Sequence, residues 1–187
     1  MVQLLSFDIG IKNMAYCFVK VDNKQISFMN LNKIDLNIAK KATIQMTIDN
    51  TIEFLDNLIN EELTIDVNDK LIILIECQMT SLMKTIQTTI NTYFKMLNRY
   101  ESFEIETVYL SPKHKLNIIN KYQDKIASTS YKQNKMDAVY FCQYLLENTY
   151  KDRDIDNKFI DVYKSMKKKD DVSDAFLMVI YYYELIF

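Results

Sequence analysis

The chain has 187 residues, a formal net charge of −2 and 49% hydrophobic residues, which allows a real hydrophobic core and excludes a largely disordered chain. A single glycine, Gly10, and a single proline, Pro112, exclude glycine-rich phosphate loops and dinucleotide-binding turns. No apolar run approaches the ~20 residues that span a bilayer. Asp8 interrupts the first apolar run before a signal peptide could form. We therefore expect one soluble intracellular domain over residues 1–187, with no membrane partner and no nucleotide cofactor.

The first part of the chain predicts a meander of three strands. Apolar runs at 2–7 and 14–21 are typical of strands, and a turn at Asp22-Asn23 leads into a third strand at 25–31. Apolar residues at helical spacing then predict a helix over 40–63.

The middle of the chain contains its most strand-like segment. Residues 70–75, KLIILI, are almost continuously apolar, as in a central strand that is buried on both faces. A helix is predicted over 81–100 and a fifth strand over 103–110.

The remainder of the chain predicts helices. Pro112 opens a basic segment with a short helix, a longer helix follows at 130–147, residues 152–156 form a charged connection, and the last helix covers 170–186. This order predicts an α/β fold with a five-stranded mixed sheet and helices on both of its faces.

Four acidic residues stand where a buried structure would not tolerate an unpaired charge. Asp8 ends the first strand and Glu76 ends the fourth, so adjacent central strands would bring the two carboxylates together. Asp171 and Asp174 are three residues apart and lie on one face of the last helix. Taken singly, Asp171 also fits a helix N-terminal charge, and Asp8 also fits a turn or cap residue.

Carboxylates that share one place repel each other unless a cation holds them. An all-oxygen site of this kind suits Mg²⁺, with Mn²⁺ as a substitute. Two such ions about 4 Å apart activate a water and stabilise the leaving oxygen in phosphodiester hydrolysis. The pattern therefore predicts a metal-dependent nuclease.

Positive charge is concentrated in two segments although the net charge is slightly negative. Residues 111–135 contain six lysines and one acid, and a second cluster stands just before Asp170. Lysines beside a carboxylate cleft would contact phosphates, which favours DNA as the partner.

Five segments, in chain order, resemble motifs of the poxvirus Holliday junction resolvases, which are part of the wider RuvC-like group. These segments are FDIGIKN at 7–13, IECQ at 75–78, LSP at 110–112, SYKQNK at 130–135 and KKDDVSDAF at 168–176. The resemblance implies an RNase H-like fold, a site for two Mg²⁺ ions, and a homodimer that acts on branched DNA at a viral replication site in the host cytoplasm.

The resemblance also implies roles for individual residues. Asp8, Glu76, Asp171 and Asp174 correspond to the metal-binding catalytic acids. The catalytic lysine of the family corresponds best to Lys135, with Lys132 and Lys115 as competitors, and whether Asp170 is a ligand or a neighbour stays open. The residues expected to contact DNA are Lys12, Asn13, Lys113, Lys115, Tyr131 and Lys132.

Other residue types suggest structural roles. Cys17, Cys77 and Cys142 include no C-x-x-C pair, so we expect reduced and mostly buried thiols rather than a zinc site. His114 is expected on the surface of the basic segment. Tyr93, Phe94 and the tyrosines at 181–183 are expected in the core or at a dimer face.

The main hypothesis is a nuclease that cuts DNA four-way junctions. Another RNase H-like nuclease, acting on RNA/DNA hybrids, flaps or strand ends, would need the same acids but no dimer. Actin-like and sugar-kinase ATPases also have a D-x-G motif near the start of their fold. They need further glycine-rich motifs, however, and this chain has only one glycine. A DNA-binding module without catalytic activity would have no reason to keep the acids.

Overall fold

The structure, a computed structural model, describes residues 1–39, 41–101, 103–114, 117–118, 131–150 and 157–187, with backbone only at 131–132 and 157–158. The strands are β1 Val2–Asp8, β2 Met14–Asp22, β3 Gln25–Ile34, β4 Lys70–Glu76 and β5 Ile105–Leu110. The helices are α1 Ile44–Asn57, α2 Ser81–Tyr100, α3 Tyr131–Tyr144, α4 Asn157–Ser165 and α5 Asp170–Ile186.

The five strands form one mixed sheet in the order β3-β2-β1-β4-β5. The pairs β1–β2 and β2–β3 are antiparallel, whereas β1–β4 and β4–β5 are parallel. The predicted meander and the predicted central position of β4 are both confirmed. The β2–β3 turn is a two-residue hairpin in which Asn23 and Lys24 have φ of 47° and 63°, the backbone that tight hairpins need.

Helices cover both faces of the sheet, as predicted. Along β1, Leu4 packs into a core with α3, α4 and α5, whereas Leu5 and Phe7 pack on the other side with α1 and α2. This alternation is the two-residue period of a strand that is buried on both faces. We call the two sides of the sheet the α5 face, covered by α3–α5, and the α1–α2 face.

The last helix is the most deeply buried helix that the structure describes. Every residue from 170 to 180 is buried, and those from Val172 to Ile180, apart from Asp174, are at most 1% exposed. Its predicted bounds agree with the observed ones. A helix that packs against the sheet this closely holds its N-terminal side chains in fixed positions.

Two predicted helices are shorter than expected because the hydrogen-bond pattern changes at their ends. Helix α1 begins only after Thr43, whose hydroxyl caps it by accepting from the Met46 amide at 3.2 Å. It ends in a π-helical turn at Leu58–Glu62, and α3 likewise continues into a π-helical turn at Leu145–Thr149.

Helix α4 was not predicted. Two buried aromatic residues four apart, Phe159 and Tyr163, attach it to the α5 face, and the Phe159 ring lies 5.5 Å from that of Phe28 in β3. The apolar residues of α4 do recur at helical spacing, so the sequence carried a signal that the prediction missed. The predicted short helix of the basic segment and the connection at 152–156 lie mostly or wholly outside the described residues. In the part of the chain that the structure describes, no helix is long and apolar enough to cross a membrane.

Candidate active site

Asp8 and Glu76 occupy equivalent positions at the carboxyl ends of two adjacent strands. Strands β1 and β4 are parallel, and their last paired residues are Phe7 and Ile75, one residue before each acid. Asp8 is 9% exposed and Glu76 is 7% exposed. The sheet therefore brings two largely buried carboxylates to one edge, as the sequence predicted.

The turn after Asp8 depends on its glycine. A Cβ atom on Gly10 would lie 2.8 Å from the backbone carbonyl oxygen of Asn13, which is closer than a side chain tolerates. The amide of Leu36 donates to the Ile11 carbonyl at 2.9 Å and ties this turn to the chain after β3. The tight turn leaves Lys12 exposed and Asn13 half-buried close to Asp8 in the chain.

A buried hydrogen bond connects α5 to the strand that carries Asp8. The Ser6 hydroxyl, which is fully buried, donates to the Ala175 carbonyl at 2.7 Å. Ser6 lies two residues before Asp8, and Ala175 directly follows Asp174. This contact therefore sets the position of the acidic end of α5 relative to the end of β1.

One cavity of about 550 Å³ brings the four predicted acids together. Three separate elements, β1, β4 and α5, contribute to it, so it exists only in the folded chain. Its lining also contains the Lys113, Asn134 and Lys135 side chains and the segment from Cys77 to Thr80. The four acids on its wall are Asp8, Glu76, Asp171 and Asp174.

The side chain of Glu76 is oriented by a short chain of amide groups. The Gln78 side chain donates to the Glu76 carboxylate at 3.3 Å, and the Gln78 backbone amide donates to the Gln87 side chain of α2 at 2.7 Å. The Cys77 amide continues the β4 ladder to the Leu110 carbonyl at 2.8 Å. The sequence motif indicated Gln78, but nothing in the sequence indicated Gln87.

Lysines surround the first turn of α5. The Lys135 ammonium lies 2.5 Å from Asp170 Oδ2 and 3.7 Å from Asp171 Oδ1. Lys168 lies 3.3 Å from Asp170 and 3.2 Å from Asp171, and Lys33 lies 3.9 Å from Asp171. The site is thus a carboxylate cavity with a basic rim.

These contacts lower the pKa of Asp170 and raise the pKa of Lys168. Burial raises the pKa of the Asp170 carboxyl, but the hydrogen bond from Lys135 and the charges of Lys135 and Lys168 outweigh it, so the pKa lies below its usual value. Burial lowers the pKa of Lys168, but its hydrogen bond to Asp171 and the charges of Asp171 and Asp170 raise it above its usual value. Asp170 and Lys168 are therefore both charged at neutral pH.

The acids fit a hard divalent cation in chemistry, although they do not form a closed site as their side chains stand. The four carboxylates of the cavity are ligands of the kind that Mg²⁺ and Mn²⁺ prefer, and the Cys77 thiol also lines the cavity. Among the described residues, however, no three acidic, histidine or cysteine side chains already converge as a cation site would need. A cation would draw the carboxylates inward and would replace lysine partners of Asp171.

The predicted DNA contacts are only partly brought to this cavity. Lys113 lines it, whereas Lys12 and Asn13 lie on the turn after β1. Lys115, and the side chains of Tyr131 and Lys132, lie outside the described residues. Asn134, which lines the cavity beside Lys135, was not singled out in the sequence.

One expectation about a single side chain was wrong, whereas the expectation of mostly buried thiols is confirmed. His114 is half-buried rather than on the surface, because its ring stacks on that of Tyr181 with centroids 4.5 Å apart. Cys17 and Cys142 are buried as expected, but Cys77 is exposed and lines the cavity beside Glu76. Phe94 and Tyr182 are buried, in agreement with a core role.

Comparison with solved structures shows that the chain shares its fold with resolvases. No protein-family model and no curated protein sequence matches the chain. Among solved structures, the fowlpox virus resolvase in complex with Holliday junction DNA is 18% identical, with a TM-score of 0.60 and 98% of both chains covered.

The yeast mitochondrial Holliday junction resolvase Ydc2 has a TM-score of 0.71 at 17% identity, with 96% of this chain and 77% of that chain covered. The chain has the RNase H-like fold of these resolvases. RuvC from T. thermophilus, in complex with a Holliday junction, is more distant, with a TM-score of 0.51 at 9% identity, 100% of this chain and 97% of that chain covered.

Proposed function

We propose that this protein is a Holliday junction resolvase, a metal-dependent endonuclease that hydrolyses phosphodiesters at DNA four-way junctions. One observation carries the proposal: four buried carboxylates from β1, β4 and α5 line one cavity in a fold shared with resolvases. The whole of residues 1–187 would serve as a single nuclease domain in viral DNA recombination.

Two Mg²⁺ ions would be held by the four carboxylates of Asp8, Glu76, Asp171 and Asp174. When bound, the ions would supply activation of the attacking water and stabilisation of the charge on the leaving oxygen. The chain's own part is to place the carboxylates, and the short β1–α5 contact through Ser6 and the amide chain from Gln87 to Glu76 would do this. Gln78 limits the rotation of the Glu76 carboxylate, which reduces the entropy lost on cation binding.

Lysines on the rim would bind and polarise the DNA backbone. Lys113 and Lys135 line the cavity, so a strand that enters it would bring a phosphate close to both ammonium groups. We assign Lys135 as the catalytic lysine, which would neutralise charge on the phosphate in the transition state. The other proposed DNA contacts are Lys12, Asn13, Lys115, Tyr131 and Lys132.

A homodimer would supply two such sites for paired cuts across a junction. The α1–α2 face offers an apolar groove of about 910 Å³ between those two helices, lined by side chains that include Ile52, Met79 and Met96. Met79 is 88% exposed and lines both this groove and the carboxylate cavity. A second copy seated there would place the two catalytic cavities beside a common axis.

The test is cleavage of four labelled substrates: a four-way junction, a linear duplex, an RNA/DNA hybrid and a flap. Each is incubated with Mg²⁺ or with EDTA. We expect symmetric nicks only in the junction and only with Mg²⁺. The Asp8→Asn variant should lose at least about 100-fold in rate, whereas Asp22→Asn, an exposed aspartate at the end of β2, should cut like the wild type.

Other patterns of cutting would exclude the proposal in different ways. Cleavage of the hybrid, the flap or the linear duplex without cleavage of the junction would keep the nuclease site and reject the resolvase. Binding of the junction without cleavage in any divalent metal would identify a DNA-binding module.

A further inference from the structure

Asp170 and Asp171 are consecutive residues of α5, but they face different cavities. Asp171 lines the carboxylate cavity with Asp8, Glu76 and Asp174. Asp170 instead lines a neighbouring cavity of about 670 Å³, whose other walls are lysine, tyrosine and apolar side chains. Both aspartates are 8% exposed, so the difference is one of direction and not of depth.

Lys135 is the side chain that belongs to both cavities. Its ammonium is 2.5 Å from the Asp170 carboxylate and 3.7 Å from that of Asp171. The shorter contact is a charge-assisted hydrogen bond, and the longer one is only an ion pair. Of the two aspartates, Asp170 is thus the closer partner of Lys135, and Asp171 is a secondary one.

The geometry points to Asp170 as a positioning residue for Lys135 rather than as a metal ligand. This inference rests on the proposed function. Asp170 would fix the Lys135 ammonium at the rim of the carboxylate cavity, where the phosphate of a bound strand would be polarised. The two aspartates would therefore have different roles, because Asp170 would hold a lysine and Asp171 would hold a cation.

The division follows from the chemistry of lysine. Its ammonium stands on a flexible four-carbon stem, so it needs a fixed acceptor to stay at one point. An acceptor that also bound the cation would release the lysine as the cation arrived. A cation that takes Asp171 would displace Lys33, whereas Lys135 and Lys168 would keep their contacts with Asp170.

The first test measures metal binding without catalysis. Free Mn²⁺ is followed by electron paramagnetic resonance as it is titrated into the wild type, Asp170→Asn, Asp171→Asn and a control, Asp161→Asn, an exposed acid of α4. We expect Asp171→Asn to weaken Mn²⁺ binding by roughly 10–100-fold. Asp170→Asn should stay within about twofold of the wild type and of the control. An equal loss in Asp170→Asn and Asp171→Asn would make Asp170 a ligand and overturn the inference.

The second test is a double-mutant cycle on junction cleavage at saturating Mg²⁺ and saturating DNA. Asp170→Asn should lower the single-turnover rate by roughly 10–100-fold, with junction affinity unchanged, and Asp170→Glu should recover part of the rate. In a Lys135→Met background, Asp170→Asn should have an effect of less than about twofold. Equal losses in both backgrounds would show that Asp170 does not act through Lys135.

Thermal unfolding of each variant separates these outcomes from a folding defect, and the Asp170→Glu variant preserves the charge if Asp170→Asn fails to fold. A wild type that binds Mn²⁺ but does not cut the junction would reject the proposed function. The Mn²⁺ titration would then still decide whether Asp170 lies outside the cation site.

Discussion

The two faces of the sheet share the same strands, but the helices that cover them differ in burial and in charge. On the α5 face, the covering helix is buried along most of its length and carries three acids in its first two turns. On the α1–α2 face, large apolar side chains are exposed on the helices at Ile44 and Met96 and just before α2 at Met79, although α3 on the α5 face also exposes Met136 and Tyr140. Rigidity and chemistry are thus concentrated at α5 and the strand ends beneath it, while the α1–α2 face keeps an apolar groove suited to association.

The largest expected effect on stability comes from an aromatic cluster under α5. The Phe28 ring is fully buried and stacks on Phe176 at 5.4 Å, with Tyr150 also at 5.4 Å. Phe28→Ala should lower the free energy of unfolding by about 3–5 kcal/mol in urea denaturation. Met96→Ala, at a side chain 47% exposed on the other face, should change it by less than about 0.5 kcal/mol. Equal losses would mean that the two faces do not differ as described.

A smaller effect is expected at the contact between the sheet and the acidic helix. Ser6→Ala removes the hydroxyl that donates to the Ala175 carbonyl and should destabilise the fold by about 1 kcal/mol. Because this contact sets the position of Asp174 relative to Asp8, the cleavage rate should fall more than the stability loss explains. Ser27→Ala, at a half-buried serine of β3, serves as the control. A normal rate in Ser6→Ala would show that the contact does not place the acids.

On the α1–α2 face, a charge should affect assembly rather than folding. Met96→Glu places a carboxylate in the apolar groove, where a partner would have to desolvate it. We expect sedimentation to show a monomer, with the free energy of unfolding of the monomer changed by less than about 0.5 kcal/mol. A dimer of unchanged affinity would show that the association surface does not include this groove.

The smallest expected effect is a difference in reactivity among the three thiols. Burial raises the pKa of Cys17 well above its usual value and that of Cys142 to about 12, so neither should react in the native state at neutral pH. Cys77 is exposed at the carboxylate cavity. An aromatic disulfide reagent should therefore label one thiol before unfolding and three after it, and junction DNA should slow the first reaction. Rapid labelling of Cys17 or Cys142 would indicate an open α5 face.

The regular elements that carry the acids could be predicted because their sequence signals are local. The apolar run before Glu76 and the buried stripe of α5 each identify their element without tertiary information. The helix between β3 and β4 is a crossover connection, which is consistent with a β4 that runs parallel to its neighbour β1. These features were sufficient to expect Asp8, Glu76, Asp171 and Asp174 in one place.

Features that depend on distant side chains could not be predicted. The direction of Asp170 depends on Lys135, which is 35 residues earlier in the chain. Likewise, the contact of Gln87 with the Gln78 amide depends on how α2 leaves β4, and the burial of His114 depends on Tyr181. Helix α4 is different, because its apolar residues recur at helical spacing and the local signal was missed; its short length makes packing on β3 important for its stability.

The central claim is that the four carboxylates act as one cation site for cutting DNA junctions. The most direct measurement is the Mg²⁺ dependence of junction cleavage by Glu76→Gln beside Glu53→Gln, a matched change at an exposed glutamate of α1. We predict that Glu76→Gln loses at least about 100-fold in rate and that Glu53→Gln keeps the wild-type Mg²⁺ response. Wild-type cleavage by Glu76→Gln, with an unchanged Mg²⁺ requirement, would contradict the account.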